Sequence, residues 1–459
     1  PQGKSFMVHI QARHNDVLTR SMLYPFTNAS YAAKNPPLVI EGGDGAYVVD
    51  SSGKRYIDGQ AGLWNVNVGH GREEIKEAIR AQLDKISYYS LFGGTTTTPS
   101  VELADRLCRM AAPEGMVQAF FSSGGSEAVE AAFKLARQYW RHVGEPTRTK
   151  VISLKRAYHG VTLGALSANG TASYREHFEP LMPGFIQVET PHAYRNPFTT
   201  DPEALGRLCA ELLEREIVYQ NPKTVAAFIA EPVMGVGGFI TPPDEYFPAV
   251  TKIVRNYGGK YISDEVQTGA GRCGEKFLLT TQIGIDADMV TLAKGFGNGA
   301  AVGAVLMKSD TAEKMTGRLY FNTFAADPLQ MIQAKETMDI IRDEKLIENA
   351  KAMGKLLVDG LQQHAKTYGV IGDVRGRGLL LGVELVKDRT TKTYATDEAV
   401  RFMDECKDRG LLLGKGGLMG NVVRIAPSLG ITREDVTFML EVMGQAFAAL
   451  EKQFGQVAL

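Results

Sequence analysis

The chain has 459 residues, a formal net charge of −1 and 22% charged side chains; that near-balance, with no run of Lys or Arg, argues against nucleic acid as a main partner. Its four cysteines, Cys108, Cys209, Cys273 and Cys406, form no CxxC pair, which argues against zinc or a disulfide framework, so no metal is expected and a reduced, cytoplasmic setting is. No apolar stretch is long enough to span a membrane, Pro1 to Arg20 lack an apolar signal region, and the length allows a large core in more than one domain.

Along the chain, the stretch from Gly45 to Ile57 reads as a hairpin around Ser52-Gly53. Residues 1–64 are assigned to an N-terminal segment that joins a smaller domain. From residue 65 to 326, helical patterns alternate with short apolar runs. The helices are expected at Glu74–Ile86, Val101–Met110, Glu127–Trp140, Glu203–Glu216 and Asp244–Tyr257. The strands are expected at Gln118–Phe121, Val151–Leu154, Val225–Ala230, Lys260–Ser263, Met289–Leu292 and Ala301–Met307. Such alternation predicts an α/β domain with a mostly parallel sheet between helices, whose ligands sit beyond the strand carboxyl ends. Asp327-Pro328 opens a long helix, with a capping carboxylate and a proline at its first position. Met331, Ala334, Met338 and Ile341 line its core face. Residues 327–459 then form a smaller α+β domain, with extended segments at Val374–Leu385 and Asn421–Ala426 and helices at Asp397–Asp408 and Arg433–Leu450.

Three segments carry chemistry. In Thr291-Leu-Ala-Lys-Gly-Phe-Gly-Asn-Gly299 a lysine follows an apolar run and precedes a glycine-rich turn. An amine held beside apolar walls loses its charge more readily and can attack a carbonyl, which makes Lys294 an imine-forming candidate. Asp264, in Asp264-Glu-Val-Gln-Thr-Gly269, ends a buried strand, where an ionised carboxylate needs a partner. That partner is either a protonated pyridine nitrogen or an arginine such as Arg272. The turn Ser122-Ser-Gly-Gly-Ser-Glu-Ala128 joins a strand to a helix, so Gly124, Gly125 and Ser126 offer amides and a hydroxyl to a phosphate at a positive helix end. An ordinary Ser/Gly cap is the alternative when the turn is taken alone. An imine-forming amine, a strand-end anion and a phosphate cradle are together what a pyridoxal phosphate site needs.

From about residue 30 to residue 450 the chain resembles the class III (ω) aminotransferases of pyridoxal-phosphate fold type I, and the resemblance is closest to their amine and ω-amino acid:pyruvate branch. It implies a large domain with a seven-stranded sheet and a smaller α+β domain. It also implies that Lys294 forms the imine with pyridoxal 5′-phosphate. Asp264 is then the partner of the pyridine nitrogen, Val266 lies behind the ring, and Gln267 meets its phenolic oxygen. Tyr158, in Tyr158-His159-Gly160, stacks on the front of the ring, while His159 is equally well a satisfied loop histidine. Thr323, in Asn322-Thr-Phe-Ala-Ala-Asp-Pro328, matches a threonine that reaches the phosphate of a neighbouring subunit. The family thus implies a homodimer with shared sites, which could pair into a tetramer; two alanines here replace the family's glycines. Arg424 matches the arginine that grips substrate carboxylate, and Glu231 a glutamate near the cofactor that pairs with that arginine in some relatives. A permanent Glu231–Arg424 bridge is the alternative. Leu63 and Trp64 match positions lining the substrate pocket.

The implied activity is ping-pong transfer of an amino group from an ω-amino acid or primary amine to a keto acid, pyruvate or glyoxylate, with Lys294 as general base and acid. Gly414–Pro427 also resembles the alanine–glyoxylate type 2 branch. A same-fold aminomutase or decarboxylase would use the same cofactor residues. From other classes, a Schiff-base aldolase or a nucleotide-binding protein remains open, although neither requires Asp264 in its context.

Overall fold

The computed structural model describes residues 22–25, 27, 30, 34–317 and 320–458. What was expected of the N-terminal segment before residue 22 lies outside the described residues. The chain divides into two compact units, Pro1–Gly43 with Val48–Arg55 and Asp44–Tyr47 with Tyr56–Leu459. The strands β1 (Ile40–Asp44), β2 (Tyr47–Asp50) and β3 (Arg55–Asp58) fall at this division. The turn at Ser52-Gly53 belongs to the first unit. Asp50 organises it: Oδ1 accepts from the amides of Ser52 and Lys54 at 2.9 and 3.0 Å, and Gly53 N donates to Asp50 O at 2.9 Å. A short carboxylate that collects the free amides of a turn fixes it locally.

The second unit is built on a seven-stranded sheet of β4 (Met116–Ser122), β5 (Lys150–Leu154), β6 (Phe185–Val188), β7 (Val225–Ala230), β8 (Lys260–Asp264), β9 (Met289–Leu292) and β10 (Gly303–Lys308). The order is β4-β10-β9-β8-β7-β5-β6. Only β10 runs against its neighbours. Every residue of β7, β8 and β9 is buried, as strands covered on both faces require. The helix Gly125–His142 covers one face, where Ala128, Ala131, Ala132 and Ala136 pack on Val151, Ala227, Ile229, Ile262 and Val305. Alanine favours the helix and lets its backbone come close to the strands. Leu205, Cys209 and Leu213 of the helix Pro202–Tyr219, and Val250 and Val254 of Tyr246–Asn256, join Phe228, Tyr261 and Val290 in a larger core cluster.

The strand β6 was not expected. It is four residues long and half-buried at the sheet edge, so its sequence carries little periodic signal. The carboxyl ends of β4, β5, β7, β8 and β9 share one edge, and β10 starts from that edge. There Gly303 passes so close to the turn after β4 that a Cβ would lie 2.4 Å from Gly124 O.

Asp327 caps the long helix Pro328–Asp343, accepting from Leu329 N at 2.9 Å and Gln330 N at 3.4 Å. A second helix, Leu346–Thr367, was not foreseen; Glu344 and the left-handed Lys345, at φ +54°, separate the two inside a polar run. The stretch expected to be extended from Val374 to Leu385 is a pair of antiparallel strands, β11 (Ile371–Arg377) and β12 (Leu380–Asp388). Then follow β13 (Thr393–Tyr394), the helix Thr396–Asp408, β14 (Leu411–Leu412), β15 (Gly414–Gly416) and β16 (Val422–Ile425). The strand β16 pairs with β12 and β15, and β14 pairs in parallel with Ile57 and Asp58 of β3. The helix Arg433–Phe454 closes the unit, opened by a capping box between Thr432 and Asp435.

Ala132 is fully buried between helix and sheet. Ala132→Leu should therefore cost about 1–3 kcal/mol of stability by overpacking, seen as a lower thermal midpoint against wild type in matched buffer.

Candidate active site

Beyond the shared strand edge lies a cavity of about 240 Å³. Its walls include Ser123, Gly124, Gly125 and Ser126 after β4, Tyr158, His159 and Gly160 after β5, and Glu231 after β7. Asp264, Val266 and Gln267 follow from β8, Ala293 and Lys294 from β9, and Ala300 to Val302 lead into β10. Nine expected residues thus meet in one place: Gly124, Gly125, Ser126, Tyr158, Glu231, Asp264, Val266, Gln267 and Lys294. Asn65 also lines the cavity and was not anticipated.

The helix after β4 begins at Gly125, two residues before the expected start, and Gly124 precedes it in extended conformation with no side chain capping the free amides. Those amides therefore face the cavity at the positive end of an 18-residue helix. Glycine is required at 125, because a Cβ there would lie 2.9 Å from Val266 Cγ1. At Gly124 the corresponding space is empty to 4 Å. Ser126 Oγ accepts from Val161 N at 3.0 Å, which ties the turn to the Tyr158-His159-Gly160 loop.

Asp264 is 3% exposed. Its Oδ1 accepts from Thr291 Oγ1 at 3.0 Å and from Val266 N at 3.2 Å, and its Oδ2 lies 2.7 Å from His159 Nδ1. The structural alternative, a pair with Arg272, is not formed. That guanidinium instead meets Leu379 O, Pro427 O and Asn67 Oδ1. His159 is thus the partner that sequence reasoning left undecided. Its backbone amide is fixed by Asn169 Oδ1 at 2.6 Å, and its Nε2 is buried without a partner.

Lys294 follows β9 at φ +48°, a left-handed conformation that turns its side chain into the cavity wall. Burial holds its pKa below the ordinary lysine value; Asp264 and Glu231 oppose that shift and Arg424 adds to it. Burial likewise pushes Glu231 up to about 7, with His159 opposing and Asp264 adding to the effect. The Glu231 carboxylate accepts from Tyr158 N at 3.0 Å and Gly235 N at 2.8 Å. The Tyr158 phenol is pushed up to about 12, chiefly by burial.

Arg424, on β16, does not bridge to Glu231: among the described residues no ion pair joins them. Its guanidinium carbon lies 4.4 Å from the centre of the Trp64 ring and 6.0 Å from that of Phe239. Its Nε and Nη1 are buried without partners. Burial lowers its pKa to about 10, with Tyr174 and Glu231 opposing. Tyr174, whose ring stands edge-on to Tyr158 at 5.5 Å, was not foreseen, since Thr171-Ala-Ser-Tyr174 matches no motif. Trp64 is buried, whereas Leu63 is 52% exposed and points elsewhere.

Thr323 does not reach the cavity of its own chain. It borders an apolar groove of about 450 Å³ with Tyr88, Leu91, Phe92, Phe120 and Phe321, and its carbonyl accepts from Tyr88 Oη. Phe92 and Phe321 are 58% and 64% exposed there.

The cavity suits pyridoxal phosphate in three respects. Uncapped helix amides meet an anion, a buried carboxylate backed by histidine meets a ring cation, and the buried Gln267 Oε1 has no protein partner.

The family model described as aminotransferase class-III matches residues 29–447. An uncharacterized aminotransferase of Bacillus subtilis is 38% identical over 90% of this chain and 92% of its own. The putrescine–pyruvate aminotransferase of Pseudomonas aeruginosa is 34% identical over 93% of this chain and 95% of its own. An amine transaminase from an uncultivated Pseudomonas species, solved with pyridoxal phosphate bound, superposes with a TM-score of 0.90 at 38% identity, covering 94% of this chain and 99% of that one.

If burial governs Lys294, its amine should titrate below the ordinary 10.5 in the apoprotein. Glu231→Gln removes a negative charge that favours the ammonium form, so the midpoint should fall further. Carbon-13 reductive methylation followed by NMR titration reads both, and a rise in the variant would contradict the assignment of causes.

Proposed function

The chain belongs to the class-III aminotransferases and takes pyridoxal 5′-phosphate as its cofactor, and from that premise we propose that it moves an amino group from an ω-amino acid or primary amine to pyruvate, or to glyoxylate, by a ping-pong mechanism. The observation behind this choice is an arginine without an anion. Arg424 keeps two buried donors unpartnered while resting on aromatic faces. A guanidinium so placed can grip the carboxylate of a keto acid and leave room for an amine that has none. The likeness to the putrescine–pyruvate aminotransferase supports pyruvate as acceptor.

When bound, the cofactor supplies a carbonyl that exchanges amines and a ring that accepts electrons from the carbon losing its proton. Gly124, Gly125 and Ser126 would hold its phosphate. Asp264 would stand at the pyridine nitrogen, Tyr158 and Val266 at the ring faces, and Gln267 and Glu231 along its edge. His159 and Thr291 keep the Asp264 carboxylate oriented. Lys294 Nζ, with its charge disfavoured by burial, takes the proton from the donor carbon that bears nitrogen. In the second half it returns a proton to the carbonyl carbon of the acceptor. One lysine and one cavity serve both halves, so the first product leaves before the acceptor enters.

Thr323 serves the cavity of a second copy, and the apolar groove with its exposed Phe92 and Phe321 is where that copy docks, giving a homodimer. Among the described residues no helix is long and apolar enough to cross a membrane, and the four cysteines are free; a reduced cytoplasm is the setting we infer.

A screen of amines and ω-amino acids with pyruvate should yield alanine for at least one donor, and Lys294→Ala should yield none. Absence of alanine with every donor, and of glycine when glyoxylate replaces pyruvate, would sink the proposal. Arg424→Ala should lower kcat/KM for pyruvate by roughly 30-fold or more, as expected for loss of a charge-assisted carboxylate contact, while an amine without a carboxylate changes little.

A further inference from the structure

The segment carrying Leu63 and Trp64 has a backbone that L-residues rarely adopt. Ala61, Gly62, Leu63 and Trp64 have φ of +46°, +56°, +67° and +63°, one turn of left-handed helix with glycine at a single position. Contact between each Cβ and the following carbonyl disfavours such a turn, which persists only where its surroundings impose it.

Asp58 imposes it here. This residue ends β3, is 7% exposed, and accepts from Gln60 N at 3.1 Å through Oδ1 and from Gly62 N at 2.7 Å through Oδ2. His70 Nε2 lies 3.1 Å from the same Oδ2. Asn65 braces the far side, donating to Gly62 O at 3.1 Å and Leu63 O at 3.0 Å. Asp58 cannot drift, because it pairs with Leu412 of β14 and donates its amide to Ala46 O at 2.8 Å. The turn sends the Trp64 ring inward, edge-on to Phe239 at 6.0 Å and under the Arg424 guanidinium at 4.4 Å, while Leu63 faces out.

We propose that Asp58 is a positioning residue for substrate choice: by bracing the left-handed turn it fixes Trp64 beneath Arg424, and so sets how firmly a carboxylate-bearing acceptor is held relative to a carboxylate-free amine. This rests on the role proposed above for Arg424. A guanidinium seated on an indole face is oriented by it, so loss of the seat costs the carboxylate grip and leaves the proton transfer at Lys294 intact.

Asp58→Asn keeps the shape but turns one acceptor into a donor facing a turn amide. In the holoenzyme, with Trp140→Phe in both proteins so that Trp64 alone emits, the variant should show stronger acrylamide quenching. KM for pyruvate should rise about tenfold, with kcat and kcat/KM for a carboxylate-free amine nearly unchanged. Ala61→Gly, which takes φ +46° without strain, should bring both readouts back toward wild type. If Asp58→Asn does not fold, His70→Phe, which removes one partner of Asp58, should move both readouts the same way by less. Unchanged quenching overturns the inference by itself. Equal losses for pyruvate and amine, not relieved by Ala61→Gly, overturn it as well and leave Asp58 a merely structural residue. If Arg424→Ala shows no preference between the substrates, the role of Arg424 fails and the inference with it; stronger quenching in Asp58→Asn would then show that the turn argument was not the part at fault.

Discussion

Asp264 sits 3% exposed at the end of β8, where an ionised carboxylate persists only by collecting donors. It takes them from three directions: Thr291 on the next strand, its own loop amide at Val266, and His159 from the loop after β5. Satisfying this one carboxyl group ties β9 and the loops after β5 and β8 together. The same loop puts Tyr158 N on Glu231, so a second buried carboxylate is drawn to the cavity. Lys294 then lies between opposing influences. Two carboxylates favour its ammonium form, burial and Arg424 disfavour it, and burial prevails. A lysine in a fully hydrated loop would keep its proton and could not serve as a base near neutral pH.

Much of this was legible in the sequence, and the reason is locality. Lys294, Asp264 and Gly124 to Ser126 each sit at the junction of an apolar run with a glycine-bearing or polar turn, and the alternation of helices and runs already required those junctions to share an edge. Six of the seven sheet strands and the cap at Asp327 follow from the same local signals. What escaped is non-local or faint. His159 could not be assigned, because its partner lies 105 positions away and a Tyr-His-Gly loop serves equally well without it. Arg272 was as plausible a partner for Asp264 until its donors proved to be spent on Leu379, Pro427 and Asn67. Tyr174 has no motif, β6 is too short to show a period, and the break at Lys345 is a single backbone angle inside a run of charges. The stack of Arg424 on Trp64 joins residues from β16 and from the turn after β3, and only packing brings them together.

The site also divides its work between kinds of structure. The groups suited to the cofactor follow strands of the seven-stranded sheet, whose pairing holds their positions. The groups proposed for the substrate sit on an unusual turn and on the antiparallel C-terminal sheet. A shared chemistry is thus kept on the rigid part, and variation in what is bound falls on segments whose sequence can change without disturbing the sheet.

The reversed strand β10 carries one more consequence. Leaving the turn that begins at Lys294, the chain comes back through Gly303, pressed onto Gly124 O and paired with Ser122. The amine and the anion cradle are thereby welded into a single mechanical body. Opening and closing of this pocket would not come from their separating.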